Sequence, residues 1–167
     1  MGSYGARDRL IARLEPELSQ IAAARLRGEG SSSLSTGDLV GEAVLRLMRI
    51  EQLDLTGRAH FLALASRLMR RFIIYHARLR NSDKRRHHRV ELNTRIDGVR
   101  SFDMESLDVA LIRLGAIDPQ LMEIVEMRYF GSMTVSDIAQ VTGLSEATVS
   151  RRWRVARSWL SAALGGN

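Results

Sequence analysis

Glu146, Thr148, Ser150, Arg151 and Arg154 fall within one nine-residue stretch near the C-terminal end of a 167-residue chain, with Arg152 and Arg157 on its flanks. These types share one chemistry. Hydroxyls and a carboxylate hydrogen-bond to base edges or phosphate-linked groups, and arginine grips a guanine edge or a phosphate with two parallel N–H donors. Carried on a helix, with short polar groups first and arginines further along, the set suits the major groove of duplex DNA. A charged helical face is more often merely solvated, so the reading depends on what holds the helix.

What holds it is legible in the stretch from Thr134 to Leu160. Val135, Ile138, Ala139 and Val141 cluster at helical spacing, and Gly143 supplies the freedom for positive φ where that helix stops. Ser145 then serves as N-cap for a second helix. In it Val149, Trp153, Ala156 and Leu160 recur on one stripe that must face the rest of the fold. Turn, cap and arginines thus come in the order of a helix-turn-helix.

A second basic constellation lies upstream. From His60 to Arg80 the chain predicts its longest helix, with Phe61, Leu64, Ala65, Leu68, Phe72 and Tyr75 or Ile74 on the buried side. Arg67, Arg70, Arg71, Arg78 and Arg80 crowd the remainder. Basic and aromatic groups interleaved on one helix can hold single-stranded nucleic acid by phosphate contacts and base stacking. For Phe72 and Tyr75 a plain core role is the competing reading.

The remaining elements frame these two. Leu10, Ile11, Leu14, Leu18, Ile21, Ala22 and Leu26 predict one or two helices between Arg7 and Arg27, with Pro16 able to bend or restart them. The run Gly28–Ser33 reads as an exposed loop, after which Ser35, Thr36 or Asp38 can cap a compact amphipathic helix. That helix buries Leu39, Val40, Ala43, Val44, Leu47 and Met48, and Glu42 stands one turn before Arg46 in ion-pair register. Beyond Asn81 periodicity dissolves into a polar, strongly positive stretch to Ser101, expected to be a linker. Met104–Ile117 then predicts a helix with Leu107, Ala110, Leu111 and Leu114 on one face. Asp118-Pro119 starts another that ends at Phe130-Gly131. The expected fold class is all-α: two small helical domains, 1–80 and 102–167, joined by a basic linker, 81–101, the second ending in the helix-turn-helix.

Composition narrows the function. The formal charge is +6, and Lys84 is the single lysine, so the positive charge is almost all arginine, which favours phosphate and base edges. Cysteine is absent, which excludes disulfides and thiolate metal sites. His87 and His88 are adjacent in a basic loop without a carboxylate cluster, a poor basis for a metal site. No run approaches the ~20 apolar residues of a membrane span, and the first residues lack the apolar core of a secretory signal, so a cytoplasmic protein is expected. No nucleophile, phosphate-cradling loop or paired-carboxylate constellation stands out, so neither catalysis nor a cofactor is expected.

Three stretches carry a resemblance to the bacterial sigma factors of the extracytoplasmic-function (ECF) type. DLVGEAVLRL, Asp38–Leu47, resembles the polymerase-docking helix of sigma domain 2, and HFLALASRLMRRFIIYHAR, His60–Arg78, resembles its promoter-melting helix. Asp118–Leu160, with YFG before the turn and TV-x-R-x-W-x-x-AR-x-WL after it, is similar to sigma domain 4 and is the specific piece. The resemblance implies a dissociable subunit that binds core RNA polymerase through Asp38, Leu39, Glu42 and Arg46. Promoter DNA would be its second partner. Glu146, Thr148, Ser150, Arg151 and Arg154 would then face the −35 element as duplex, with Arg152 and Arg157 on phosphates. Arg67, Arg70 and Arg71 would take the melted −10 strand, binding energy there offsetting lost pairing and stacking.

Two departures matter. Many relatives carry Asn where this chain has Arg67, and relatives usually bear several acidic residues just before the docking helix. Here that place reads Ser31, Ser32, Ser33, Leu34, Ser35, Thr36, Gly37 and Asp38. Phosphorylation of a hydroxyl in this run by a Ser/Thr kinase would restore negative charge, ~−1.5 to −2 per group. An anti-sigma protein is the other form of control the resemblance implies. The rival function is a freestanding helix-turn-helix regulator, dimeric on a palindromic site.

Overall fold

The structure, a computed structural model, describes residues 3–26, 35–50, 57–83 and 103–165. Among them the chain forms seven helices and no strand, so the fold is all-α: α1 (Ser3–Leu26), α2 (Thr36–Arg49), α3 (Arg58–Asp83), α4 (Met104–Ile117), α5 (Pro119–Tyr129), α6 (Val135–Thr142) and α7 (Glu146–Gly165). The expected loop at Gly28–Ser33 and nearly all of the expected linker at 81–101 lie outside the described residues, as do His87 and His88.

Local chemistry sets the helix boundaries. Of the three candidate caps before α2, Ser35 is the one used. Its hydroxyl accepts from the Asp38 amide at 3.1 Å and Asp38 accepts from the Ser35 amide at 3.0 Å, a reciprocal capping box. At the other end of α2, Arg7 of α1 donates to the Ile50 carbonyl at 3.2 Å. Asp103 caps α4 and Asp118 caps α5, with Pro119 at the first helical position. Thr134 and Asp137 form the capping box of α6. Pro16 neither splits nor restarts the first helix, and α1 runs through it.

Two groups of helices result, and α3 belongs to both. It packs on α1 and α2, and also on α4, α5 and α6. Its buried residues therefore go round the helix: Phe61, Leu62, Ala65, Leu68, Met69, Ile73, Ile74 and Ala77. The expectation of a single buried side was too narrow. Leu64 and Phe72 are half-buried, and Tyr75 is exposed. Leu18, Leu39 and Leu47 fill the N-terminal group, and Leu107, Leu111, Leu114, Ile124 and Phe130 the C-terminal one, in one continuous apolar cluster.

The two groups approach at small residues. Ser66 of α3 is fully buried and turns its hydroxyl back to the Ala63 carbonyl, at 2.7 Å. Opposite stands Gly131, where an added Cβ would lie 3.0 Å from Ser66 Cβ and 2.7 Å from the Met127 carbonyl oxygen. Gly143, by contrast, is left-handed at φ 73° but has open space around a Cβ.

The two glycines should therefore fail differently. Gly143→Ala should cost ~1–2 kcal/mol from backbone strain alone. Gly131→Ala adds overlap with a packed neighbour, of the order of 1–3 kcal/mol, and should loosen α3 from α5. Urea unfolding gives the costs, and amide exchange of α3 separates them: faster exchange in α3 only for Gly143→Ala would contradict the packing described.

Candidate nucleic-acid interface

The last two helices are joined by Gly143, Leu144 and Ser145. Ile138 is buried on α6, and Val149, Ala156 and Leu160 are buried on α7, which fixes the rotation of the longer helix about its axis. Opposite this stripe Arg151 and Arg154 are exposed, Glu146 is exposed at the start of the helix, and Thr148, Ser150, Arg152 and Arg157 are half-buried. The seven residues marked out by the sequence thus lie along one helix, the two outward arginines one turn apart.

Some of them are already engaged. The Ser145 hydroxyl accepts from the Thr148 amide at 3.2 Å and donates to the Thr148 hydroxyl at 2.9 Å, so Thr148 belongs to the cap as well as to the outer face. Arg152 donates to Asp118, the cap of α5, at 2.7 Å, and so ties α7 to α5. The Asp118 carboxyl is held below its ordinary value first by that hydrogen bond, against a smaller burial effect, and further by the Leu121 and Gln120 amides. Trp153 is half-buried rather than a core residue. The guanidinium groups of Arg128 and Arg157 lie 5.4 Å and 5.9 Å from the centre of its ring. A Trp at the border of a stripe is too large for full burial.

The arginines of α3 occupy a different setting. Arg71 is exposed, and Arg67 is 56% exposed, 3.5 Å from both Glu123 and Glu126. Arg70 is only 12% exposed and donates to Glu126 at 2.9 Å and Asp108 at 2.8 Å. Burial by itself would lower the Arg70 guanidinium, but the hydrogen bonds to Glu126 and Asp108 and their charges outweigh it and the net shift is upward. Arg78, which the sequence placed only in the basic surround, completes the set by donating to Asp108 at 2.9 Å. A cleft of about 510 Å³ runs here, with Arg67, Arg70, Arg71 and Tyr75 on one wall and Asp108 and Glu123 on the other.

On α2 the expected docking residues separate. Asp38 sits in the capping box, and its carboxyl is lowered first by the Ser35 hydroxyl. Leu39 is fully buried, so it supports the surface from beneath and makes no outward contact. Glu42 and Arg46 are exposed, but the guanidinium of Arg46 lies over the Phe72 ring at 5.3 Å, not on Glu42. The sequence reading missed Leu45 and took Met48 as buried; both face outward, 52% and 45% exposed, beside Glu42 and Arg46. In helical register Leu45 follows Glu42 by three residues, and that offset is the signal that could have found it. Ser31, Ser32 and Ser33 lie outside the described residues, the Ser35 hydroxyl is committed to Asp38, and Thr36 is half-buried at the start of α2.

Against this geometry, the family described as ECF sigma factor matches residues 1–166. The chain belongs to the ECF sigma factor family. No curated protein and no solved structure gives a significant match. Membership of the ECF sigma factors makes the chain a transcription-initiation protein of a regulatory, non-enzymatic family. Among the described residues no helix is long and apolar enough to cross a membrane, and no cluster of metal-ligating side chains occurs.

Asp118→Asn keeps the cap and removes the charge that Arg152 meets. Both partners are about a third exposed, so the cost at neutral pH should be ~1 kcal/mol or less. A lowered carboxyl contributes stability above its ordinary range near pH ~4 and loses it as pH falls through the folded value. Thermal unfolding should thus separate wild type from Asp118→Asn at pH 7, and the two should converge towards pH ~2.

Proposed function

We propose that the chain is a sigma subunit that binds core RNA polymerase, directs it to particular promoters and helps to open them. Residues 1–80 would form the docking and melting domain, 81–101 the linker, and 102–167 the domain that reads the −35 element through a helix-turn-helix. The observation that carries this reading is α7, whose buried Val149, Ala156 and Leu160 turn Arg151 and Arg154 out to solvent on one side. A helix so held can lie in a major groove with those arginines on base edges or phosphates.

The docking face on α2 would comprise Glu42, Leu45, Arg46 and Met48, an apolar pair with charges beside it, which suits a polymerase surface of mixed character. Asp38 would contribute its charge at the helix N-terminus. Arg67, Arg70 and Arg71 of α3 would take the phosphates of the unwound −10 strand, and exposed Tyr75 offers a ring on which a base can stack. Nothing in these roles requires a bond to be made or broken by this chain. Cytoplasmic location follows from partnership with polymerase and DNA. Control by an anti-sigma protein, or by a kinase acting on Ser31, Ser32, Ser33, Ser35 or Thr36, fits the thinly acidic approach to α2.

Run-off transcription with purified core polymerase and a promoter library tests the reading, and footprinting separates it from the freestanding regulator. Protection should need polymerase and cover two elements set apart, whereas the regulator would protect one symmetric site alone. On a promoter so found, Arg151→Ala should lose ~1–3 kcal/mol of binding at one base pair of the −35 element and relax the preference there. Unchanged selectivity at every position would mean that α7 is rotated otherwise in its groove.

A further inference from the structure

Val109, Ile112 and Val155 have no part in the roles proposed above, yet all three face outward. The first two stand on α4, 54% and 56% exposed, and Val155 on α7 is 52% exposed. They are not scattered. Leu107, Ala110, Leu111 and Leu114 turn one side of α4 to the core, which leaves positions 105, 109, 112, 113 and 116 on the opposite side. There Val109, Ile112, Arg113 and Ala116 are exposed and Glu105 is half-buried. Helix α7 borders this face, since Arg152 holds Asp118 at the end of α4 and Arg113 lies over the Trp159 ring at 5.9 Å. Val155 comes one turn before Trp159 on the same side of α7. Val109, Ile112, Ala116, Val155 and Trp159 thus make one apolar patch, and a contiguous patch marks a contact where single apolar residues do not.

We propose that a second copy of the chain docks on this patch, α4 lying antiparallel on its own counterpart in a two-fold dimer. The charges on the face select that occupant. Glu105 stands one turn before Val109 and Arg113 one turn after it, in one i, i+4 row and each about 6 Å from Val109 along the axis. An antiparallel copy crossing at Val109 sets the Glu105 of each chain opposite the Arg113 of the other, and two-fold symmetry makes that pair twice. A parallel copy in the same register would set like charges together. The Trp159 ring under its guanidinium keeps Arg113 at the patch. Exposed ion pairs add little affinity but fix register, while the aliphatic centre supplies the attraction. One helix pair with a strip of α7 is a small interface, below ~1,200 Å² in all, so the dimer should be weak and depend on concentration.

Sedimentation equilibrium of the full-length chain, with neither DNA nor polymerase present, should show a mass that rises towards twice that of the chain as concentration increases. Glu105→Arg and Arg113→Glu should each weaken the dimer roughly tenfold or more, because like charges then meet at both contacts. The variant carrying both changes should regain it. Mixing the two single variants should also restore a dimer, since each supplies the charge that the other lacks, and circular dichroism checks that both are folded. A separate arm needs no charge reversal: the chain has no cysteine, so Val109→Cys, at the crossing point, should link two copies by a disulfide under oxidised glutathione. Gln20→Cys, exposed on α1, should link far more slowly. A chain that stays monomeric at every concentration, a dimer indifferent to both reversals, or equal linking of the two cysteine variants overturns the inference. If the chain is monomeric and Ile112→Glu loses association with core polymerase, the face belongs to polymerase instead, and the function proposed above still stands.

Discussion

A guanidinium that is mostly out of water must be met by fixed anions, and Arg70 is met by two, Asp108 and Glu126, on two different helices. Pairing three buried charges contributes little net stability, since each must first be stripped of water. What it does impose is geometry. With one fork shared between α4 and α5, those helices have a single register on α3, and the close approach of Gly131 to Ser66 becomes allowed in that register. A mispaired alternative would leave a carboxylate buried alone, which costs far more than the pair contributes.

Within the C-terminal helices, orientation is set by caps and by one tie. Thr134 and Asp137 start α6, Gly143 stops it in the left-handed region, and Ser145 starts α7 two residues later. Val149, Ala156 and Leu160 then roll α7 onto α4, α5 and α6, and Arg152 fastens it to the cap of α5. The positions of Arg151 and Arg154 are the remainder of that arithmetic: they point outward because every competing face is taken. Arg128 and Arg157 against Trp153 close the border between core and solvent.

The chain belongs to the ECF sigma factors, a transcription-initiation family. Three of its helices carry charged outer faces, with different degrees of cover. The mixed face of α2 and the basic face of α7 are open, while the basic face of α3 is shared with carboxylates of the same chain. A strongly basic protein that binds a polyanion gains from holding part of its charge against internal acids, because stray association with nucleic acid falls with each arginine so occupied.

The chain's own residues determined several of the helix boundaries among those described, because these are local chemistry: Ser35 with Asp38, Asp118 with Pro119, Thr134 with Asp137, and Gly143 at φ 73°. They also determined the helix that carries Glu146–Arg157, since a stripe such as Val149, Ala156 and Leu160 follows from spacing alone. What spacing could not supply is how many neighbours a helix has. The apolar residues of α3 serve two groups at once, so its buried side was underestimated, and Leu45 and Met48 of α2 stay outside for want of a neighbour. Nor could it pair Arg70 with Asp108 and Glu126, 38 and 56 residues further along the chain. Periodicity records which residues share a face, whereas only the packed chain decides what that face meets.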